Sequence, residues 1–289
     1  MNALRSQIIE RLPEVKALPV SAIEVVRLCG NPEAGVSEIA SAIERDPLLT
    51  AEVLRLANSA YFAVPGGIAT VREASVRLGA EGLLRAAVAA GLSPLADMSI
   101  PGYDMPAGAL LDHMRMVAVG TNILGCMQTA PVPSYAFTAG MLVDIGKLAL
   151  GEIAADNVPD IHAACQAQPI TFDAAERLVL GIDHAEAGAL LLEAWGLPEP
   201  LTRVVRWHHR PKEAGFTDLA LDLVHASDVI SLSMGIGLGS DGLRYELCPE
   251  VLQRLNLNAP SAERATAEML AERGRLRLDS DGKEGRLGL

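Results

Sequence analysis

The stretch "RDPLLTAEVLRLANSAYF", Arg45 to Phe62, carries the clearest helix signals in the chain. Asp46 is a suitable N-cap, and Pro47 stands at the first helical position, where the missing N–H of proline costs no hydrogen bond. The apolar residues recur at helical spacing along one face: Leu49, Val53, Leu56 and Ala60. The stretch therefore predicts an amphipathic helix with a capped start.

Helical periodicity and stop signals extend from this stretch in both directions, and strand-like alternation is scarce. After the break at "VPGG" (Val64 to Gly67), a helix is predicted from about Thr70 to Gly91. Two shorter helices are predicted upstream, separated by Asn31-Pro32. Further helices are predicted over about 109–128, 134–154, 172–195, 198–210 and 217–234. The pattern predicts an all-α fold.

Length and composition predict one large domain or two small ones. The chain has 289 residues, of which 50% are hydrophobic and 3% aromatic, a mixture that suits packed helices. Three prolines and two glycines between Ser93 and Gly108 predict a hinge. The predicted organisation is a helical lobe over 1–97, a hinge over 98–108, a second lobe over 109–260, and a polar C-terminal helix and tail over 261–289.

Charge and cysteine usage restrict the partners and the compartment. The net charge is −12, and residues 101–200 hold 12 acidic against 3 basic side chains, so direct nucleic-acid binding is not expected. No apolar run reaches about 18 residues and the N-terminus lacks the apolar core of a signal peptide, so no membrane association is expected. The four cysteines form no CxxC pair and suit free thiols in the cytoplasm: Cys29, Cys126, Cys165 and Cys248.

A second stretch, "AGMLVDIGKLAL" from Ala139 to Leu150, resembles the core of a metal-dependent phosphohydrolase in its acid, glycine and lysine. Where such a core has a metal-binding histidine, this chain has Val143. Several side chains could converge with Asp144: His113, His184, His208, His209, His225 and Asp228. Imidazole and carboxylate groups suit iron, manganese or zinc, and a metal of this kind can activate a water for attack on a phosphate ester. Lys147 could hold a phosphate oxygen.

The order of these residues resembles the HD superfamily of metal-dependent phosphohydrolases, in particular its HD-GYP branch. The closer resemblance is to the HDOD domain, a non-catalytic relative. It is carried by "LPVSAIEVVRLCGNPEAGVSEIASAIERDPLLTAEVLRLANSAYF" in the first lobe and by "LGIDHAEAGALLLEAWGLP", "VVRWHHRP" and "LVHASDVI" in the second. The resemblance implies an HDOD-type N-terminal helical bundle, an HD-like C-terminal bundle and a role in bacterial signalling, with signalling proteins as partners in trans.

Two departures from the HD pattern disfavour catalysis. Val143 has no lone pair to offer a metal, and the sequence after His184 lacks the Gly-Tyr-Pro signature of HD-GYP phosphodiesterases. We therefore expect no catalytic residue, but a vestigial binding site at the HD positions: His113, Val143, Asp144, Lys147, His184, His208, His209 and Asp228. No cofactor is expected unless a divalent metal (iron, manganese or zinc) is held by the remaining ligands: His113, Asp144, His184, His208 and Asp228.

Each of these residues also has a structural interpretation. Asp144 could accept backbone N–H bonds at a helix end, beside a turn at Gly146. Adjacent helical residues point about 100° apart, so one of His208 and His209 is expected inside and the other on the surface. The remaining residues of this kind are expected to cap helices or fill the core: Asn58, Tyr61, His162, Asp183, Trp195, Trp207 and His225.

The favoured function is a non-enzymatic regulatory module that binds a partner protein or a small nucleotide-like ligand, such as a cyclic dinucleotide. One alternative is a weak phosphohydrolase acting on nucleotides or cyclic dinucleotides. Another is a binding module that keeps a structural metal without turnover.

Overall fold

The computed structural model describes residues 3–15, 18–59, 67–153, 155–239 and 245–284. Within these ranges there is no β-strand, and the predicted all-α fold is confirmed. The α-helices, in chain order, are α1 Ala3–Arg11, α2 Val20–Cys29, α3 Val36–Glu44, α4 Pro47–Ala57, α5 Val71–Gly91, α6 Ala109–Cys126, α7 Ala136–Leu142, α8 Gly146–Ile153, α9 Val158–Ala167, α10 Phe172–Leu180, α11 His184–Ala194, α12 Glu199–Trp207, α13 Leu219–Ser233, α14 Pro249–Arg254 and α15 Ala259–Glu284. Short 3₁₀ helices lie at Leu12–Glu14, Ser93–Asp97, Pro101–Tyr103, Ala155–Asn157 and Pro211–Ala214.

The chain forms two compact units. The first unit comprises Met1–Ala17 and Pro94–Thr266, and the second comprises Leu18–Ser93 and Ala267–Leu289. The segment 98–108, predicted as a hinge, therefore belongs to the first unit, where it forms the 3₁₀ helix Pro101–Tyr103. None of the described helices combines the length and the apolar character needed to cross a bilayer.

The second unit contains α2 to α5, and its local structure follows the predicted caps. Asp46 accepts hydrogen bonds from the N–H groups of Leu48 and Leu49, with Pro47 as the first residue of α4. Asn58 ends α4 by bonding the carbonyls of Leu54 and Ile68, as predicted for a helix-end residue. The other residue predicted beside it, Tyr61, and the last apolar position of the opening stretch, Ala60, lie outside the described residues.

Two of the helices predicted from the sequence are interrupted in the first unit. The helix predicted over 134–154 is interrupted at residues 143–145, between α7 and α8. The helix predicted over 172–195 ends at Gly181, whose φ of +77° is a left-handed helix end, and restarts after Asp183, which caps α11 by accepting from the Glu186 N–H. These breaks bring Asp144 and His184 to helix ends instead of helix interiors.

The tryptophans do not anchor the core. Trp195 and Trp207 are only half-buried, so the prediction that they are core residues is wrong. Trp207 is partly covered by the guanidinium of Arg210, which lies 5.2 Å from the ring centre. Aliphatic and small side chains on α6, α7, α11 and α13 fill the core instead, which allows these helices to approach closely.

Candidate functional site

Five elements of the first unit bring their polar side chains to one buried point. The helix α13 packs against α6 and α7, and α11 packs against α8 and α12. Their convergence produces the Asp144 cluster, which consists of His113, Asp144, Lys147, His184, His208, His209 and Asp228. Each of these side chains is at most 3% exposed. The residues proposed from the sequence pattern thus lie together in the structure.

Asp144 is the centre of the cluster. Its Oδ2 lies 2.8 Å from Lys147 Nζ and 3.3 Å from His113 Nε2, while its Oδ1 lies 3.4 Å from His184 Nε2 and 3.7 Å from His208 Nε2. Burial favours the neutral acid, but the Lys147 charge and the His113 hydrogen bond hold the pKa of Asp144 well below its usual value. No described backbone N–H bonds to this carboxylate, so its predicted helix-end role is wrong.

His113 is held on both ring nitrogens. Nε2 donates to Asp228 Oδ1 over 2.9 Å, and Nδ1 donates to the carbonyl of Ile236 over 3.0 Å. Burial alone would lower the pKa of His113, but its hydrogen bonds to Asp144 and Asp228 outweigh burial and raise the pKa to about 10. Sequence reasoning missed the Ile236 contact because Ile236 lies in a glycine-rich loop with no signal for histidine binding.

His184 begins α11 and contacts a carboxylate that the pattern did not reveal. Its Nδ1 donates to Glu176 Oε2 over 2.7 Å, and its Nε2 lies 2.8 Å from His209 Nε2. Burial alone would lower the pKa of His184, but the Glu176 carboxylate outweighs burial and raises the pKa to about 9. Glu176 was missed because it lies on α10, eight residues before His184, with no motif around it.

His208 and His209 both face the cluster. His208 Nδ1 donates to the Val205 carbonyl over 2.7 Å, which directs Nε2 towards Asp144, and His209 Nδ1 lies 3.5 Å from Asp228 Oδ2. The prediction that one of the pair lies on the surface is wrong, because α12 ends at Trp207 and both histidines occupy the following turn. Burial lowers the pKa of His208 and holds that of His209 well below its usual value, so both offer a neutral nitrogen.

Two further histidines stay outside the cluster, as predicted. His225 Nδ1 donates to the carbonyl of His208 over 2.7 Å, and its Nε2 accepts from the Cys248 N–H over 3.0 Å. The His162 ring stands edge-on to Phe172, with 5.9 Å between ring centres. His225 thus serves as a hydrogen-bonding residue of the structure and His162 as a packing residue.

Two overlapping groups of side chains have the composition of a metal site. One comprises Asp144, His184, His208 and His209, and the other comprises His113, Asp144 and Asp228; in each, the candidate ligand atoms lie within 4.8 Å of one another. In the four-residue group, Asp144 Oδ1 and His208 Nε2 are buried without a hydrogen-bond partner, which a bound cation would correct. This group fits a divalent metal ion.

The three-residue group fits a metal poorly. His113 Nε2 and Asp228 Oδ1 are already bonded to each other, and Asp144 Oδ2 is paired with Lys147. The neighbouring Val143 side chain is fully buried and has no ligand atom to add. The described residues therefore favour one cation, at the four-residue group.

Residues 15–211 match the HDOD domain, which covers more than half of the chain. The chain belongs to the HDOD domain family. This HDOD protein is 26% identical over 212 residues to an uncharacterized protein of Treponema pallidum (strain Nichols), a match that covers 71% of the chain. The chain spans 40% of the length of that curated relative.

Solved structures share the fold of this HDOD protein. An HDOD domain protein of unknown function from Geobacter sulfurreducens has a TM-score of 0.69 and 22% identity, covering 97% of this chain and 94% of the other. A candidate signal transduction protein from Marinobacter aquaeolei VT8 has a TM-score of 0.71 and 21% identity, covering 96% and 64%. A candidate phosphohydrolase from Shewanella amazonensis SB2B has a TM-score of 0.61 and 22% identity, covering 91% and 97%.

Proposed function

We propose that this HDOD protein is a non-enzymatic signalling module that binds a partner protein or a small nucleotide-like ligand and has a degenerate HD site. The observation that carries the proposal is the state of Val143 and Asp144, which stand at the positions of the adjacent His-Asp pair (the doublet) of the HD pattern. Val143 is buried where the HD pattern has a ligand, and Lys147 Nζ lies 2.8 Å from Asp144 Oδ2. The doublet therefore lacks one ligand, and its remaining carboxylate is engaged by a lysine.

Charge balance within the cluster supports the same proposal. In the metal-free cluster the cationic side chains are Lys147, His113 and His184, the last two with raised pKa values; a metal at the four-residue group would displace the Nε2 proton of His184. Three acidic side chains face them: Asp144, Asp228 and Glu176. Hydrolysis by a pair of metals needs two cation sites about 3.5–4 Å apart. Because these cationic and acidic side chains already pair with one another, the described part of the cluster retains one cation site. The site is thus better suited to binding than to two-metal hydrolysis.

The distribution of charge and the structural neighbours indicate the kind of partner. The acidic excess between residues 101 and 200, 12 acids against 3 bases, favours a partner with a basic surface. The fold is shared with the candidate signal transduction protein from Marinobacter aquaeolei. Signalling proteins acting in trans are therefore the partners we propose.

Turnover and binding assays test the proposal together. Protein loaded with zinc, manganese or ferrous iron is incubated with cyclic dinucleotides, beside an Asp144→Ala, Asp228→Ala double variant. We expect the protein to hydrolyse cyclic dinucleotides no faster than the double variant does. We also expect saturable binding, either of a partner protein captured from native lysate or of a dinucleotide measured by calorimetry. Turnover clearly above the double variant contradicts a non-enzymatic role, and the absence of any partner or ligand contradicts a binding module.

A weak metal-dependent phosphohydrolase is the second candidate. It is favoured by the unpartnered Asp144 Oδ1 and His208 Nε2, and by the shared fold of the candidate phosphohydrolase from Shewanella amazonensis. A cation at the four-residue group would act as a Lewis acid on a phosphate ester. The chain's own contribution there is to orient two imidazoles by hydrogen bonds, His184 through Glu176 and His208 through the Val205 carbonyl, and to place Lys147 beside Asp144.

Metal content separates this candidate from a site that stays empty. Plasma mass spectrometry is carried out on protein purified without chelators or a histidine tag. About one equivalent of metal per chain is expected if the four-residue group is a ligand set. A folded, metal-free protein that also fails to take up added metal rules out the hydrolase.

A further inference from the structure

Glu176 is a completely buried carboxylate whose two oxygens are both used. Oε2 accepts from His184 Nδ1 over 2.7 Å and from the His184 backbone N–H over 2.9 Å. Oε1 accepts from the hydroxyl of Tyr103. A buried carboxylate is costly unless it is bonded in this way. These three hydrogen bonds therefore hold the Glu176 carboxylate in one defined position.

The contact with Nδ1 determines which atom of His184 faces the cluster. Because Nδ1 donates to Glu176, Nε2 is left to face Asp144 Oδ1 at 3.4 Å and His209 Nε2 at 2.8 Å. Histidines that bind metals almost always donate their other ring N–H to a carboxylate, a carbonyl or a water, which fixes the ring and raises its basicity. Glu176 stands in that relation to His184.

Tyr103 extends the chain of contacts by one residue. Its side chain is 2% exposed and its ring stands edge-on to His184, with 6.2 Å between ring centres. Its hydroxyl holds the Glu176 oxygen that does not contact His184. Tyr103 thus restricts rotation of the Glu176 carboxylate, which in turn restricts the His184 ring.

We propose that Glu176 is a positioning residue for the Asp144 cluster, which fixes His184 with Nε2 towards the four-residue group, and that Tyr103 positions Glu176. The inference rests on the proposed binding role of that cluster and names residues that shape it. Neither residue lies among the candidate ligands. Both act through His184, which is the side chain that would contact a metal or another ligand.

A purely structural role for Glu176 must be separated from positioning. Glu176 also accepts from the His184 backbone N–H, so its removal weakens the start of α11. Asp183 already caps this helix through the Glu186 N–H. Tyr103→Phe removes one hydroxyl and leaves both backbone contacts intact, so it tests positioning without disturbing the helix start.

The experiment follows the His184 ring and zinc binding in the full chain. Ring nitrogens are observed by long-range ¹H–¹⁵N correlation on metal-free, ¹⁵N-histidine-labelled protein, and zinc affinity is measured by competition with a chromogenic chelator. The test variants are Glu176→Gln and Tyr103→Phe. The matched control is Tyr135→Phe, which likewise removes a hydroxyl bonded to a carboxylate, in this case that of Asp218.

We expect both test variants to shift the His184 nitrogen resonances and the control to leave them unchanged. Zinc affinity should fall about 10–100-fold in Glu176→Gln and about 10-fold or less in Tyr103→Phe. Unchanged His184 resonances in both test variants overturn the inference, whether or not zinc binds. If the wild type binds no zinc, the metal site of the proposed function fails, while the resonances still test the positioning. If Glu176→Gln does not fold, Tyr103→Phe alone provides the test.

Discussion

Asp144 has four cationic or polar partners within 3.7 Å, drawn from α6, α8, α11 and the turn after α12. A buried charge of this kind is tolerated only when its partners are in place. Lys147 supplies the largest favourable contribution to the low pKa of Asp144, and His113 supplies the next. The cluster is therefore a linked set, in which the loss of one cation leaves a buried carboxylate unpaired.

The raised histidine pKa values predict that the metal-free protein loses stability in alkali. His113 and His184 have folded pKa values of about 10 and about 9, above the ordinary value of 6.5. A raised pKa contributes stability that is fully present below the unfolded value and is lost as the pH rises through the folded one. The free energy of unfolding, measured with urea in the presence of a chelator, should decrease between pH 7 and pH 10.

The matched variant for this prediction is His113→Gln. It keeps a side chain that can bond Asp228 but removes the group that titrates near pH 10. Its free energy of unfolding should be lower at pH 7 and should decline less with pH than that of the wild type. Parallel pH profiles for the two proteins would contradict the assignment of the effect to His113.

The glycine-rich loop after α13 offers a second test at a single position. Gly235 and Gly237 both have φ of +75°. A Cβ on Gly237 would lie 2.3 Å from His113 Cβ, whereas a Cβ on Gly235 would meet, among the described atoms, only Leu238 Cδ1 at 3.9 Å. Both alanine variants incur about 1–2 kcal/mol for the left-handed backbone. Gly237→Ala should lose a further ~1–3 kcal/mol from the clash, measured by urea unfolding. Equal losses in the two variants would show that the loop adapts and does not hold His113.

At the scale of elements, α8 and α11 approach each other at a glycine. A Cβ on Gly146 would lie 2.0 Å from the His184 carbonyl oxygen and 2.5 Å from the Gly188 nitrogen. The sequence pattern suggested a turn at Gly146, but it is the first residue of α8 and its φ is not left-handed. Its lack of a side chain serves helix packing, which brings Asp144 and His184 together.

Replacement of this glycine should separate the two helices. Gly146→Ala is expected to lower the free energy of unfolding by ~1–3 kcal/mol or more. The atoms that the new Cβ would meet belong to the backbone of α11, which cannot move aside as a side chain can. The matched control is Gly274→Ala in α15, where a Cβ would meet no described atom within 4 Å. That change should stabilise the protein by about 0.5–1 kcal/mol, since alanine is the better helix former. Chemical denaturation followed by circular dichroism measures the free energy of unfolding of both variants. An unchanged free energy of unfolding in Gly146→Ala would disprove the close contact between α8 and α11.

At the scale of the whole molecule, the cluster depends on contacts between distant parts of the chain. His113 bonds Asp228 across 115 residues and Ile236 across 123. All of these residues belong to the first unit, which also includes Met1–Ala17 from the N-terminus. The site therefore forms only when α6, α8, α11, α12 and α13 are packed together.

The net charge leads to a prediction for the whole chain. With a charge of −12, the protein has no excess of cations to release counterions from a phosphate backbone. Fluorescence anisotropy with short labelled duplex DNA at low salt should show no binding tighter than about 10⁻⁴ M. Binding that weakens steeply with added salt would contradict this and would point to a local basic surface.

Local sequence signals predict the features that depend on neighbours within about four residues. The cap at Asp46, the cap at Asp183, the end of α4 at Asn58 and the helical class of the fold all follow from such local signals. The ordered pattern of histidines and carboxylates, through its resemblance to the HD superfamily, also predicted candidate ligands that lie together around Asp144. These features need no knowledge of how the helices pack.

The contacts of the candidate residues, in contrast, depend on how the helices pack in three dimensions. The roles of Glu176 and Tyr103, which meet across 73 residues, depend on packing that no local pattern encodes. The same holds for the close approach at Gly146, and for the inward placement of both His208 and His209. Long-range contacts of this kind are set by which helix faces meet, and the free energy that selects those faces is spread over the whole core.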